Sequence, residues 1–165
     1  MATVIRGDDN FDTAYAKSVA IIADVKAQGV HGGSSLAASW NTRNLNTEID
    51  DPQGIVSIAS NQFTLQAGTY YIEWACPVYD VGTHVTRLWN VTTSSLAATG
   101  KSTPASATYN VSNDSSGATI QTVTSATAFK LQHYTTSAKA STGLGIGAPS
   151  GNSVFTLVKI HKIGA

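Results

Sequence analysis

The sequence predicts an all-β fold, an antiparallel jelly-roll sandwich, from three observations. From residue 19 onward, short apolar stretches alternate with Gly, Ser, Asn, Asp and Pro, which is typical of strands separated by turns. Eight or nine such stretches occur, the number expected of a jelly roll or a similar sandwich. No segment after residue 27 has the apolar spacing of an amphipathic helix.

The first predicted strand covers residues 20–27, although Ile21, Ile22 and Val25 would also line one side of a helix. The strand is favoured because the sequence that follows it has strand-like patterns and because glycines soon end the segment. Later strands are predicted at 39–46, 55–58, 62–65, 69–79, 84–92, 118–124, 128–135 and 153–162. Residues 100–117 are predicted to form a long exposed loop, either without regular structure or with a short strand around residues 109–111. Residues 137–151 form either a mobile glycine-rich loop or a strand that a neighbour approaches closely.

Composition narrows the class of protein. A length of 165 residues fits one domain. Charged residues are only 12% and the net charge is zero, so no basic surface for nucleic acid is expected. Serine and threonine, 39 of the 165 residues, are expected to cover much of the surface instead. The lone Cys76 excludes an intrachain disulfide and is predicted to be buried.

The chain divides into a polar, Asp-rich arm at residues 1–18 and a jelly-roll domain at residues 19–165. The start lacks the basic and apolar segments of a secretory signal, and no apolar run approaches the ~20 residues of a membrane span. We therefore expect synthesis in a host cytoplasm without a signal peptide and without membrane insertion.

In the strand at 69–79, odd and even positions alike are largely apolar or aromatic. A strand with one face in water has apolar residues on one side only, that is, at every second position. A second layer must therefore cover its other face, and a second subunit is the simplest source. The predicted subunit-interface residues are Tyr70, Tyr71, Trp74 and Trp89. The alternative is a sandwich with aromatic residues in a half-exposed rim.

FTLQAGTYYIEWACPVYDVGTHVTRLWN, residues 63–90, resembles the central hairpin of the trimeric jelly rolls in complement globular heads and tumour-necrosis-factor ligands. AIIADVKAQGVHGG at 20–33, WNTRNLNT at 40–47 and SVFTLVKIHK at 153–162 are similar to a domain of phage and prophage structural proteins, often described as tail-fibre-like. The resemblance covers residues 20–162 and implies a homotrimer on the surface of a virion. The arm VIRGDDNFDTA resembles short particle-attachment segments of phage appendages.

These resemblances imply a non-enzymatic virion structural protein, a trimeric knob that decorates or cements a capsid. Its arm would attach to other virion proteins through Ile5, Phe11 and Tyr15. The alternative is a tail-fibre or receptor-binding head. In that case Tyr79, Tyr109, Tyr134 and the loop at 100–117 would contact a host surface glycan, because aromatic faces stack on sugars.

No catalytic residues, cofactor or metal site are predicted. The histidines have no zinc-ligand spacing, and no nucleophile stands in a known catalytic motif. His84 and His133 lie on predicted strands, and in a trimer either could gather into a three-fold cluster at the axis. A strand histidine is more often a hydrogen-bonded surface residue.

Overall fold

The computed structural model describes residues 18–165. Within them the chain forms twelve β-strands, and no α-helix is present. The strands are β1 (Val19–Lys26), β2 (Trp40–Thr42), β3 (Thr47–Asp50), β4 (Val56–Ala59), β5 (Gln62–Leu65), β6 (Gly68–Tyr79), β7 (Gly82–Asn90), β8 (Ser95–Thr99), β9 (Thr103–Ala105), β10 (Ser112–Val123), β11 (Thr127–Thr135) and β12 (Ser153–Gly164). No helix in the described part of the chain is long and apolar enough to cross a membrane.

The strands form two antiparallel sheets that pack as a sandwich. The five-stranded sheet has the order β10-β6-β12-β1-β3. The seven-stranded sheet has the order β4-β5-β11-β7-β8, with β2 also paired to β11 and β9 to β7. Strands distant in sequence are neighbours, as in a jelly roll, and β1 lies beside the last strand, β12.

The core lies between the two sheets, because β6 sends alternate side chains inward. Tyr70, Ile72, Trp74 and Cys76 are buried there, whereas the other parity of β6 is half-buried. Residues from the facing sheet complete the same cluster; they are Val56, Phe63, Leu65, Leu88, Phe129 and Leu131.

Most predicted strands are confirmed, including the strand rather than the helix at the first segment. The prediction of eight or nine strands was too low, since β3, β8 and β9 were missed. The single long loop predicted at 100–117 is wrong, because β9 and the first half of β10 occupy much of it. Those residues are polar because they lie on short or edge strands with few inward positions.

The segment at 137–151 contains no strand, yet its backbone does approach neighbours closely. A Cβ on Gly145 would stand 2.3 Å from the Phe155 ring, and one on Gly147 would stand 2.6 Å from the Val30 carbonyl oxygen. Buried Leu144 anchors this segment. The glycines therefore permit close packing of a loop, not of a strand.

Candidate functional site

The outer face of the five-stranded sheet presents side chains in cross-strand rows. One row runs across β10, β6, β12 and β1 as Ile120, Tyr71, His161 and Val19. The next row is Ala118, Glu73, Lys159 and Ile21. We call these eight residues the Tyr71 face. Ile120 is 60% exposed, so a large apolar side chain stands in solvent in the single chain.

The charges on the Tyr71 face are matched within the chain. Lys159 Nζ lies 3.8 Å from Glu73 Oε1, and the Tyr71 hydroxyl donates a 3.5 Å hydrogen bond to Glu73 Oε2. The Tyr71 ring also packs beside His161 at a centroid distance of 6.1 Å. A surface on which opposite charges are already paired can be covered without leaving an isolated ion.

Strand β10 forms one edge of this sheet and pairs with β6 alone along its twelve residues. A long edge strand presents a row of backbone groups that other chains can pair with, and proteins normally protect such edges. Every second residue in the second half of β10 points outward and is exposed: Ser116, Ala118, Ile120 and Thr122. The edge and the Tyr71 face thus form one continuous surface.

The structure separates the four residues predicted at a subunit interface. Tyr70 and Trp74 are each 1% exposed and point into the chain's own core, so they have no surface left to offer a second subunit. Tyr71 lies on the outer face of the same strand, whereas Trp89 belongs to the other sheet. The residues on both sides of β6 are largely apolar, so the alternation of the sequence did not indicate which side points inward. Ile120 was missed because its strand is mostly polar.

The outer face of the seven-stranded sheet carries a stack of aromatic and cationic groups. The Arg87 guanidinium carbon lies 4.0 Å from the Trp40 ring centroid and 4.3 Å from the Trp89 ring centroid. Tyr134 packs beside Trp40 with ring centroids 5.5 Å apart. Arg87 Nε donates a 3.0 Å hydrogen bond to Gln132 Oε1. We call Trp40, Arg87, Trp89 and Tyr134 the Trp–Arg ladder.

The three tyrosines predicted to bind a glycan do not share one surface. Tyr79 is on the five-stranded sheet, where its hydroxyl bonds to Asn110 and Lys139 Nζ lies 5.2 Å from its ring centroid. Tyr109 is 80% exposed in the turn before β10. Tyr134 is on the seven-stranded sheet, in the ladder. Trp89 was predicted at a subunit interface, and Trp40 and Arg87 were not predicted in any site, because the contacts of the ladder join three strands that are distant in sequence.

His84 and His133 lie inside the sandwich and contact each other, with exposures of 1% and 0%. The idea that either reaches a three-fold axis is therefore wrong. In the described residues no three His, Cys, Asp or Glu side chains gather as a metal site. The predicted attachment residues Ile5, Phe11 and Tyr15 lie outside the described residues.

Comparison with solved structures identifies the class of fold. The globular domain of zebrafish complement 1qA protein superposes with a TM-score of 0.56 at 15% identity, covering 89% of this chain and 98% of that one. Murine APRIL at pH 5.0 gives 0.57 at 11% identity, covering 87% and 98%, and murine APRIL at pH 8.0 gives 0.57 at 13% identity over the same shares.

The chain thus has the jelly-roll fold of these two proteins, as its hairpin at 63–90 predicted. At such identities the similarity defines the fold alone. No protein-family model matches the chain, and no curated protein matches its sequence.

Proposed function

We propose that this protein is a non-enzymatic subunit of a homotrimeric knob on the surface of a tailed-phage virion, where it decorates or cements the capsid. The observation that carries the proposal is the Tyr71 face: an exposed isoleucine, a Tyr–His ring contact and matched charges beside a long edge strand. Each of these features is suited to being covered by another copy of the chain.

Burial of Ile120 supports this association. Burying an isoleucine side chain completely contributes about 1.5–3 kcal/mol, and Ile120, which is 60% exposed, would contribute part of that amount in each subunit. The Glu73 carboxylate keeps its Lys159 partner within its own chain, so subunits meet without competing for that ion pair. The number three comes from the resemblance of residues 63–90 to trimeric complement and tumour-necrosis-factor heads.

The non-enzymatic part of the proposal is supported by where the reactive groups lie. Burial raises the pKa of Cys76 to about 11, and the thiol is enclosed in the core. His84 and His133 are likewise buried. These three side chains thus offer solvent neither a nucleophile nor a base.

A charge placed on the Tyr71 face tests the assembly. Ile120→Glu should dissociate the oligomer in sedimentation velocity at micromolar concentration, because each subunit would bury a carboxylate without a partner. Leu36→Glu is the matched control, since Leu36 is 65% exposed and lies in the loop beside the end of β11, outside the five-stranded sheet. An Ile120→Glu variant that sediments like the unmodified protein would remove the Tyr71 face as the interface.

The virion setting is supported by the similarity of residues 20–33, 40–47 and 153–162 to phage structural proteins. Gold-labelled antibody on intact particles tests it: label over the head supports capsid decoration, and label confined to the tail supports the receptor-binding alternative. Particles without label would contradict both. Deletion of residues 1–18 should abolish particle binding while leaving the knob assembled; retained binding would exclude attachment by the arm.

A further inference from the structure

The Trp–Arg ladder is built by strand register. Trp40 stands opposite Tyr134 on the β2–β11 pairing, Arg87 opposite Gln132 and Trp89 opposite Lys130 on the β11–β7 pairing. Directly opposed residues of an antiparallel pair point to the same side of a sheet. Two indoles, a guanidinium and an ammonium are therefore presented together on the outer face.

Arg87 is a fixed cation without an anionic partner. Its partners among residues 18–165 are the two indole rings and the Gln132 amide oxygen, and no carboxylate of the described chain pairs with it. Burial lowers the pKa of Arg87, and no nearby acid opposes that shift. Arginine remains charged all the same, because its ordinary pKa lies far above neutrality.

The guanidinium is also held in orientation. Its Cζ lies within 4.3 Å of both indole centroids, and the Nε bond to Gln132 Oε1 further restricts the guanidinium. The Nη groups form no hydrogen bond with described residues, so their donors remain available in a rigid fork. Such a fork matches the two oxygens of a carboxylate.

The contacts of Arg87 with the two indoles could by themselves simply stabilise the sheet, since a cation over an indole contributes about 0.5–1 kcal/mol at exposed sites. Two further features point to a ligand. Lys130 places a second cation beside Trp89, and both indoles, with Tyr134, are only half-buried. Half-buried aromatic faces beside oriented polar donors are the usual means by which proteins bind sugar rings.

We propose that the Trp–Arg ladder is a binding site for a carboxylate-bearing saccharide, such as a uronic or sialic acid residue of a glycan. A sugar ring stacks on an indole or on Tyr134, and the sugar carboxylate accepts hydrogen bonds from the Arg87 Nη groups with Lys130 beside it. This site goes beyond the proposed assembly. It lies on the sheet opposite the Tyr71 face, and it does not depend on an oligomer.

Nucleic acid fits this face less well. Phosphate backbones are held by many cations, and the ladder with its neighbour offers only Arg87 and Lys130 on a chain of zero net charge. A single carboxylate needs no more than one oriented guanidinium.

Isothermal titration of the full chain with four probes tests the site. The carboxylated probes are trigalacturonate and sialyllactose; the neutral controls are methyl-esterified trigalacturonate and lactose. At least one carboxylated probe should bind saturably, and its neutral counterpart at least about tenfold more weakly, because hydrogen bonds to charged groups contribute about 1.5–3 kcal/mol. Arg87→Gln should weaken binding by a similar factor, whereas Lys26→Gln, on β1 of the opposite sheet and outside the Tyr71 face, should not.

The three tryptophans supply a control that requires no variant. Trp40 and Trp89 belong to the ladder, whereas Trp74 is buried with its Nε1 bonded to Thr86 Oγ1 at 2.8 Å. In the NMR spectrum of indole-labelled protein, the bound saccharide should shift the Trp40 and Trp89 indole signals and leave that of Trp74 unmoved. Lys130→Gln, at a position that makes no ion pair in the described chain, should also weaken binding.

Several results would overturn the proposal: no saturable binding of either carboxylated probe, equal binding of the methyl ester, or shifts confined to indoles outside the ladder. Tighter binding of a ten-nucleotide oligothymidylate would assign the face to nucleic acid instead. None of these results bears on the oligomeric state, so failure here is distinguishable from failure of the proposed assembly.

Discussion

His84 Nδ1 lies 2.8 Å from His133 Nε2 in the interior of the sandwich, a contact between strands β7 and β11. The other ring nitrogens, His84 Nε2 and His133 Nδ1, are buried and form no hydrogen bond with residues 18–165. Burial lowers the pKa of His84 to about 4 and that of His133 further, and the nearby Arg43 guanidinium adds to both shifts. The folded protein therefore keeps this pair neutral.

The buried pair predicts loss of stability in weak acid. Unfolded histidine binds a proton near pH 6.5, so below that pH the unfolded state binds more protons than the folded state. Stability should be complete above about pH 6.5 and fall as the pH approaches 4, where His84 titrates in the folded protein. Urea unfolding at pH 7.5 and 5 measures this. A His84→Gln, His133→Gln double variant should lose most of that dependence, and an unmodified protein equally stable at both pH values would contradict the account.

Arg43 is a buried arginine whose side chain joins several elements of the fold. Its Nε, Nη1 and Nη2 donate to Thr156 Oγ1, the Pro77 carbonyl and the Leu144 carbonyl at 3.0, 3.1 and 3.1 Å. The side chain therefore ties β6 and β12 to the 137–151 loop. Arg43→Ala should destabilise the fold by roughly 2–4 kcal/mol in urea unfolding, because three buried acceptors lose their donor.

Arg43→Lys serves as the matched comparison, because an ammonium keeps the charge but cannot reproduce a planar three-point fork. Its stability should lie between those of the unmodified protein and the alanine variant. A lysine variant as stable as the unmodified protein would show that charge alone, rather than the three-way bond, stabilises this centre.

Gly117 allows β10 to pass over the Trp74 indole. A Cβ at this position would stand 2.2 Å from Trp74 Cζ2, so one of the two must move. Gly117→Ala should lower stability by about 1–3 kcal/mol through overpacking and alter the Trp74 fluorescence. Ser116→Ala, an exposed neighbour on the same strand, is the control and should change neither.

Cys76 should be unreactive in the folded protein. Burial raises its pKa to about 11, so at neutral pH the thiol is protonated as well as enclosed. A chromogenic disulfide reagent should label it only after denaturant is added, at the rate of unfolding. Rapid labelling in native buffer would mean that this part of the core opens far more readily than its packing implies.

The fold was predictable where alternation of apolar residues was strong. β5 was predicted at its observed bounds, and β6 and β12 within one or two residues at either end. β3 and β8 were missed because they are short and largely exposed, so they carry little apolar alternation. In the first half of β10, the inward positions are Ser115 and Gly117. The Trp74 indole of the neighbouring strand fills the space beside them, so these positions hold small residues. A run of small and polar residues looks like a loop in the sequence.

The candidate sites were harder to predict, for a geometric reason. The two parities of β6 are similarly apolar, and only packing against the other sheet decides that Tyr70 points inward and Tyr71 outward. The Trp–Arg ladder joins β2, β7 and β11, and its contacts depend on register that no local pattern specifies. Prediction from sequence found the aromatic residues but not their grouping.

The proposed assembly is a homotrimer, and native mass spectrometry of the unmodified 165-residue chain measures the number of subunits directly. We expect a dominant species of three times the 17.1 kDa chain mass at micromolar concentration. A dominant species at the mass of a single chain would contradict it.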